Sequence, residues 1–447
     1  MAEIGATATF ARYAASAALD DVPDAVLHEA TRTFVNFIGC ALGGSRHPAV
    51  ETAVRALIAY SGKVQASVIG RGIQADILHA SLFNCMSSAV LSFDDTHAEA
   101  VIHPGGPVCA ALLALAERAP VSGKDFVLAL MLGVEAACRL SKAVSVAPAR
   151  GNVIWLQTGI AGGIGAAVAA AKLLGLDEKQ MAWAIGIALS EAAGMRSVGG
   201  MGFSLVAGHA AQTGLRAALL AQQGFTAADD AIEAQRGFAK AHSPEPNIVA
   251  MTDGLGEKFE ILSNTYKPYP CGIVIHPSID CCFALQADGL DYAAIEQLRL
   301  KVSSGAVAMT NNRHPKSKLN VQTSHHHWVA AALIYGTATL RDGDRVDEPA
   351  IVALRERIDL EVDSAMAADA VEAIVTLKDG RVLHKAIAHC VGSASRPMDD
   401  RQLGEKFLSQ AQTRLSAAAA AELLQSCWKL IDLDDVGIIG RAAAGEK

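Results

Sequence analysis

The chain has 447 residues, 51% of them apolar and 19% charged, with 46 acidic against 38 basic side chains and a net charge of −8. That length exceeds one ordinary core of roughly 100–200 residues and predicts two domains. The composition excludes a disordered chain, and the acidic balance excludes the clustered basic surface that nucleic acid requires. An anionic substrate stays open, because a buried site sets its own local field.

The first residues, MAEIGATATFARYAASAALDD, hold no basic stretch followed by a continuous apolar run, so no secretory signal is read. Alanine is abundant and apolar residues recur at spacings of three and four, as in Val26, Leu27, Ala30, Phe34 and Ile38. This period predicts helix for most of residues 1–264. Ser122 with Asp125 and Asp177 with Gln180 resemble capping boxes, and Gly175 and Gly224 follow helical runs as left-handed stops. The run Gly151–Ala171 is uncharged and long enough to span a membrane. It contains Asn152, Gln157, Thr158 and glycines at 159, 162, 163 and 165 and leads into AAKLLGLDEKQ, which predicts a buried helix of a soluble domain and no membrane association. Those glycines also imitate a dinucleotide fingerprint. That motif requires a preceding strand and a βαβ unit, whereas helix is predicted on both sides here. Small residues that allow close helix packing are the reading.

Near Pro268 the pattern changes. Residues 265–397 read as mixed α/β, with strand character over 298–309 (LRLKVSSGAVAM). VEAIVTLKDGRVLHKAIAH (371–389) reads as a hairpin turning at Asp379-Gly380. Residues 398–447 return to helix. Nine scattered cysteines without a CxxC pair read as buried thiols suited to a reducing cytoplasm.

Three polar clusters interrupt this apolar sequence. The first runs from Ser92 to Gly106 and contains Asp94, Asp95, Thr96, His97, Glu99 and His103 between two apolar helices. Polar groups so placed must be hydrogen-bonded, as a cap-and-turn network or as a site. Their spacing matches neither HExxH nor an EF-hand loop, so no metal is expected. The second cluster is Lys267-Pro-Tyr269-Pro-Cys-Gly-Ile-Val-Ile-His276-Pro. Its prolines set a rigid extended segment, and Lys267 stands where the helical region ends, as a solvated linker residue or as a carboxylate clamp or base. The third is Ser324-His325-His326-His327-Trp328, in which three adjacent rings cannot face one point. Arg150 and Arg196 are isolated cations beside apolar helices, suited to fork a carboxylate or to make structural ion pairs.

Several blocks resemble the MmgE/PrpD family, in family order over about residues 30–410. They are FDDTH with IHPGGPV, GAAVAAAKLLGLD, GHAAQTGLRAALLAQQGFTA, KPYPCGIVIHPSID and RPMDDRQLGEKF. The resemblance implies a mainly α fold: a large all-helical domain from residues 1–264 and 398–447, and a smaller α/β lid from 265–397. It also implies a homodimer with an inter-domain active site and no metal or organic cofactor. Thr96, His103 and Lys267 match family active-site positions, and Tyr269 and His276 belong to the same lid motif. Departures accompany the matches. Where the decarboxylase-like pattern carries an Asp, a His, a Lys and an aromatic hydroxyl, this chain carries Ser92, Leu156, Phe203 and Trp328.

Family members dehydrate 2-methylcitrate, decarboxylate cis-aconitate or epimerise iminodisuccinate. Each reaction handles a proton or carbanion beside a carboxylate, which demands a placed base and donors for the developing charge. With the departures counted, the first expectation is an epimerase of iminodisuccinate. His103 and Lys267 then serve as bases on opposite faces, with Thr96 beside them. Asp94, Asp95, His97, Arg150, Arg196, Tyr269 and His276 line the substrate site. A 2-methylcitrate dehydratase-like lyase, a decarboxylase and a non-catalytic carboxylate-binding paralogue are the alternatives.

Overall fold

The computed structural model describes residues 5–151 and 154–445; Asn152, cited above against a membrane span, lies outside them. In chain order the elements begin with α1 (Ala6–Ser16), α2 (Asp24–Gly44), α3 (Pro48–Leu57), β1 (Ala66–Val68), β2 (Ile73–Ala75), α4 (Ile77–Ala89) and β3 (Asp95–His97). There follow α5 (Gly105–Arg118), α6 (Gly123–Ser145), α7 (Gln157–Leu173), α8 (Glu178–Ser190), α9 (Gly202–Gln222), α10 (Phe238–His242) and β4 (Asn264–Tyr266). Next come α11 (His276–Ala287), β5 (Ile295–Val302), α12 (Ser304–Thr310), α13 (Lys318–Val321), α14 (His325–Tyr335), α15 (Leu340–Gly343) and α16 (Pro349–Arg355). The chain ends with β6 (Ile358–Val362), β7 (Val371–Leu377), β8 (Val382–Ile387), α17 (Asp400–Ala411), α18 (Ala417–Trp428) and α19 (Gly437–Ala443). The fold is mainly α with a smaller α/β part.

Two compact units divide the chain. The first takes residues up to Val90, Asp94–Thr265 and Asp399 onward; the second takes Leu91–Phe93 and Tyr266–Met398. The first unit is helical, and within it α7 packs against α6, α8, α9 and α5. Almost every residue of α7 is buried, as expected of a helix apolar on all sides. Its glycines are where neighbouring backbones come closest. A Cβ on Gly165 would lie 2.6 Å from the Gly133 carbonyl oxygen of α6. A Cβ on Gly214 of α9 would lie 2.3 Å from the Gly163 carbonyl oxygen of α7. The stretch lies inside one helix with no strand before it, so it is a packing surface and not a phosphate loop. Among the described residues, no helix is long and apolar enough to cross a membrane.

Local signals set the helix ends. Asp177 and Gln180 form a reciprocal capping box at α8. Ser122 accepts from the Asp125 N–H and donates to its carboxylate at 2.6 Å, so it caps α6 without the reciprocal arm. Gly175 and Gly224 have φ of 68° and 84°, the left-handed geometry in which glycine escapes the Cβ clash.

The second unit is built on a four-stranded sheet in the order β6-β5-β7-β8. β5 and β6 run parallel, and β5–β7 and β7–β8 antiparallel. Along β7, Val371, Ala373, Val375 and Leu377 point inward in strict alternation, joining α11 and α14 in one apolar core. The hairpin turns where expected, with Gly380 at φ 85° and the Asp379 carboxylate accepting the Arg381 N–H. The strand expected over 298–309 is corrected. It stops at Val302, because the Ser303 hydroxyl accepts the Ala306 N–H and starts helix α12.

The α6–α7 crossing yields a prediction. Gly165→Leu drives a side chain into the Gly133 carbonyl and lowers stability by roughly 3 kcal/mol, read as a lower denaturation midpoint. Gly175→Ala meets no neighbour and costs only about 1 kcal/mol through its φ. Equal effects for the two would contradict the backbone-contact account.

Candidate active site

The first polar cluster forms a short hairpin in the first unit. β3 carries Asp95, Thr96 and His97, and its partner strand β4 carries Asn264 and Thr265. His97 N–H donates to the Ile102 carbonyl at 2.9 Å and Ile102 N–H returns a bond to His97 at 3.3 Å. The chain thus doubles back and sets His103 beside Thr96. Val101 in the turn has φ 55°, an uncommon conformation for a β-branched residue and one that surrounding contacts must hold.

Side chains alternate along a strand, and here the alternation puts Asp95 and His97 on one side and Thr96 on the other. Asp95 is buried, and its Oδ2 accepts from Gly105 N at 2.8 Å and Asn264 Nδ2 at 2.9 Å. Burial pushes its carboxyl up, neighbouring Asp94 pushes it further, and the two amide donors pull it back. His97 is fully buried; its Nδ1 accepts from the Ala100 N–H at 3.1 Å. Its proton therefore sits on Nε2, which lies 3.0 Å from Glu260 Oε2, off the ideal N–H line. Lys142 Nζ lies 2.6 Å from the same oxygen. Burial alone would raise the Glu260 carboxyl, but His97 and Lys142 outweigh it and hold the group at about 2.

The opposite side of the hairpin carries Thr96 and His103. His103 Nδ1 lies 2.7 Å from the Asp95 carbonyl oxygen and 3.1 Å from Thr96 Oγ1. A carbonyl oxygen only accepts, so Nδ1 carries the proton and Nε2 is left with its lone pair. The Thr96 oxygen is then the longer, second acceptor, and its own hydrogen is available to another group. His103 N–H donates to Thr158 Oγ1 at 3.1 Å, and Thr265 Oγ1 donates to the Thr96 carbonyl at 2.6 Å. The His103 side chain is 38% exposed, and Asp94 Oδ1 stands 3.9 Å from its Nδ1.

The other sequence candidates have surroundings of their own. Arg150 is exposed and paired with Glu245 at 3.1 Å. Arg196 is exposed, with Nε on the Trp155 carbonyl at 3.2 Å, beside the Trp155–Met195 bridge. Leu156 is buried before α7, and Phe203 is half-exposed at the start of α9. In the second unit Lys267 is buried near Cys271. Tyr269 donates to Asp280 Oδ1 at 2.5 Å, and its ring meets the buried His276 edge-on at 5.3 Å. Burial and Asp280 hold the Tyr269 hydroxyl far above its usual range. Ser92 belongs to this unit, where its hydroxyl donates to Gln322 Oε1 at 2.9 Å.

The three adjacent histidines are all buried. His325 is held by Thr310 and Ser278, at 3.0 and 2.8 Å. Burial lowers the three rings to about 3, 4 and 4, so they are neutral core residues near neutral pH. Trp328 is a core aromatic bonded to the Val321 carbonyl. Among the described residues, no group of three His, Cys, Asp or Glu side chains is placed to hold a metal ion.

Sequence reasoning passed over Glu260, Lys142, Asn264 and Thr265. Asn264 and Thr265 precede the Lys267 motif in the run Asn-Thr-Tyr-Lys, which was the one available signal. Glu260 and Lys142 sit in unremarkable polar surroundings.

A pH prediction follows from Glu260. Its folded pKa of about 2 lies below the ordinary 4.5, so its contribution to stability is complete above about 4.5 and is lost as pH falls towards 2. Glu260→Gln therefore has a shallower acid limb than the native chain in denaturation followed across that window. Parallel limbs would contradict the assignment.

Comparison with known proteins agrees with this architecture. The MmgE/PrpD N-terminal domain model matches residues 8–250 and the MmgE/PrpD C-terminal domain model residues 269–430. A cis-aconitate decarboxylase of Aspergillus terreus is 30% identical over 348 residues, covering 73% of this chain and 68% of its own. The cis-aconitate decarboxylase-like protein oryM of Aspergillus oryzae is 26% identical over 95% of this chain and 94% of its own. Human cis-aconitate decarboxylase is 25% identical over 97% and 93%. With both family domains matched in order along nearly the whole sequence, this chain belongs to the MmgE/PrpD family.

Proposed function

We propose that the chain is a lyase that decarboxylates a small unsaturated tricarboxylate of the cis-aconitate type, with His103 as the proton donor. The observation that carries this reading is the part-exposed His103 imidazole, set beside Thr96 with its Nδ1–H committed to the Asp95 carbonyl. The substrate class is that of the similar cis-aconitate decarboxylases.

The chemistry is balanced with one proton. Loss of CO2 from the CH2-borne carboxylate breaks one C–C bond. The electron pair passes through the allylic system to the carbon beside another carboxylate. A proton added there completes methylidenesuccinate. An imidazolium at His103, its Nδ1–H held on Asp95 O, gives its Nε2 proton and ends neutral. The Thr96 hydroxyl, its hydrogen available, serves a substrate carboxylate whose charge grows as the bond breaks.

Leu156 and Phe203 favour a second reading, because they put apolar groups where the decarboxylase-like pattern has His and Lys. It is epimerisation of iminodisuccinate. Methylcitrate dehydration has no observation of its own in its favour.

Proton NMR separates these readings. With cis-aconitate, methylidene signals appear as substrate is consumed, and His103→Ala lowers kcat/KM roughly 100-fold or more. Dialysis against EDTA leaves the native rate unchanged. If cis-aconitate is untouched while the α-proton of iminodisuccinate exchanges without net consumption, the decarboxylase reading falls and the epimerase reading takes its place.

A further inference from the structure

His97 stands in the middle of the polar cluster, six positions before His103, and the obvious assignment for it is a substrate contact. Its surroundings assign a different task. The ring is fully buried and works inside the turn that connects the two reactive residues. Nδ1 takes the Ala100 N–H, bracing the turn from within. Nε2 faces Glu260 Oε2 at 3.0 Å. The backbone of His97 makes both bonds to Ile102, the residue before His103.

Helix α6 holds the same turn from outside. Ser141 Oγ donates to the Ala100 carbonyl at 2.5 Å. Lys142 Nζ reaches Glu99 Oε2 at 3.2 Å and Glu260 Oε2 at 2.6 Å. Glu260 itself sits at the start of the segment that continues into Asn264 and Thr265, the residues bonded to Asp95 and to the Thr96 carbonyl. One carboxylate therefore ties together three pieces: the turn, α6 and the strand behind β3. The exposed, left-handed Val101 shows that this turn is held in a conformation its sequence does not favour.

We propose that His97 and Glu260, bridged to α6 by Lys142, are positioning residues that hold His103 in one tautomer and one orientation by fixing the 97–102 turn. They touch no substrate. Their effect passes through the Asp95 carbonyl–His103 Nδ1 bond, whose 2.7 Å length survives only while the two arms of the hairpin keep their register. The kinetic part of the inference rests on the decarboxylase reading; the tautomer part does not.

The test uses the full chain and four variants: Glu260→Gln, Lys142→Met, His97→Gln and His97→Leu. Glutamine at 260 keeps an acceptor for His97 but loses the charge that holds Lys142. Methionine at 142, a partly exposed site, releases both carboxylates. Glutamine at 97 can restore the donor and the acceptor. After far-UV circular dichroism confirms folding, long-range proton–nitrogen NMR reads the His103 ring, and steady-state kinetics on cis-aconitate read kcat and KM. The native ring shows the Nδ1–H tautomer alone. Glu260→Gln and Lys142→Met show a mixture of tautomers and a roughly 10-fold lower kcat with KM within about twofold, on the scale of imperfect orientation. His97→Gln recovers part of what His97→Leu loses. An unchanged His103 tautomer in folded Glu260→Gln and Lys142→Met overturns the positioning role. If the native chain ignores cis-aconitate, the function reading falls alone and the NMR arm still decides this one.

Discussion

A hydrogen bond from His103 Nδ1 to the carbonyl oxygen of Asp95 is the contact on which the site depends. Because the acceptor is a backbone carbonyl with no proton to give, the bond has one polarity at every pH where the fold survives. It thereby decides which imidazole nitrogen is available for chemistry. A side-chain acceptor such as a hydroxyl would leave that choice open. The geometry in turn requires that Asp95 and His103, eight positions apart, be held in register by a turn with an unfavourable residue at its tip.

That requirement explains the polar density behind β3. The Asp95 carboxyl is buried beside Asp94, which raises the cost of its charge, and amides from Gly105 and Asn264 are placed to offset it. Gly105 opens α5, and a Cβ there would lie 2.8 Å from the Asp95 carboxylate, so the strand can approach the helix only where that residue is glycine. Glu135 and Arg139 make a second buried pair on α6, with Arg139 bonded to the carbonyls of Asp253 and Lys258. This fastens the irregular segment that delivers Glu260. The Glu135 carboxyl is pushed up to about 7 by burial, against the pull of Arg139. Removing one partner of such a buried pair would leave the other charge uncompensated.

Legibility in the sequence followed periodicity. Helix in the first unit showed at spacings of three and four because α2, α6 and α7 bury continuous faces, and the β7–β8 hairpin showed because one face of β7 is buried and the turn needs glycine at Gly380. The strand end at Val302 was missed because a serine cap outweighed a run of β-formers. At the candidate site, Thr96 and His103 were singled out from the family blocks, yet Asp95 and His97 had the same local appearance as Thr96. Only the alternation of a three-residue strand separates Asp95 and His97 from Thr96, and three residues are too few for a period to show. Glu260 and Lys142 were invisible for another reason: each acts across more than a hundred positions, and nothing near either one marks it. The His325–His327 run shows the reverse error, a conspicuous motif that serves the core.

The central claim is that one imidazole nitrogen, fixed in place, delivers the proton. Turnover of cis-aconitate in deuterium oxide tests it most directly, by the position and configuration of the label in the methylidenesuccinate formed. A donor held by the Asp95 carbonyl puts one deuterium at the former alkene carbon with a single configuration. Product carrying equal amounts of both configurations would contradict the account, because a mobile or solvent-borne donor would then be doing the chemistry.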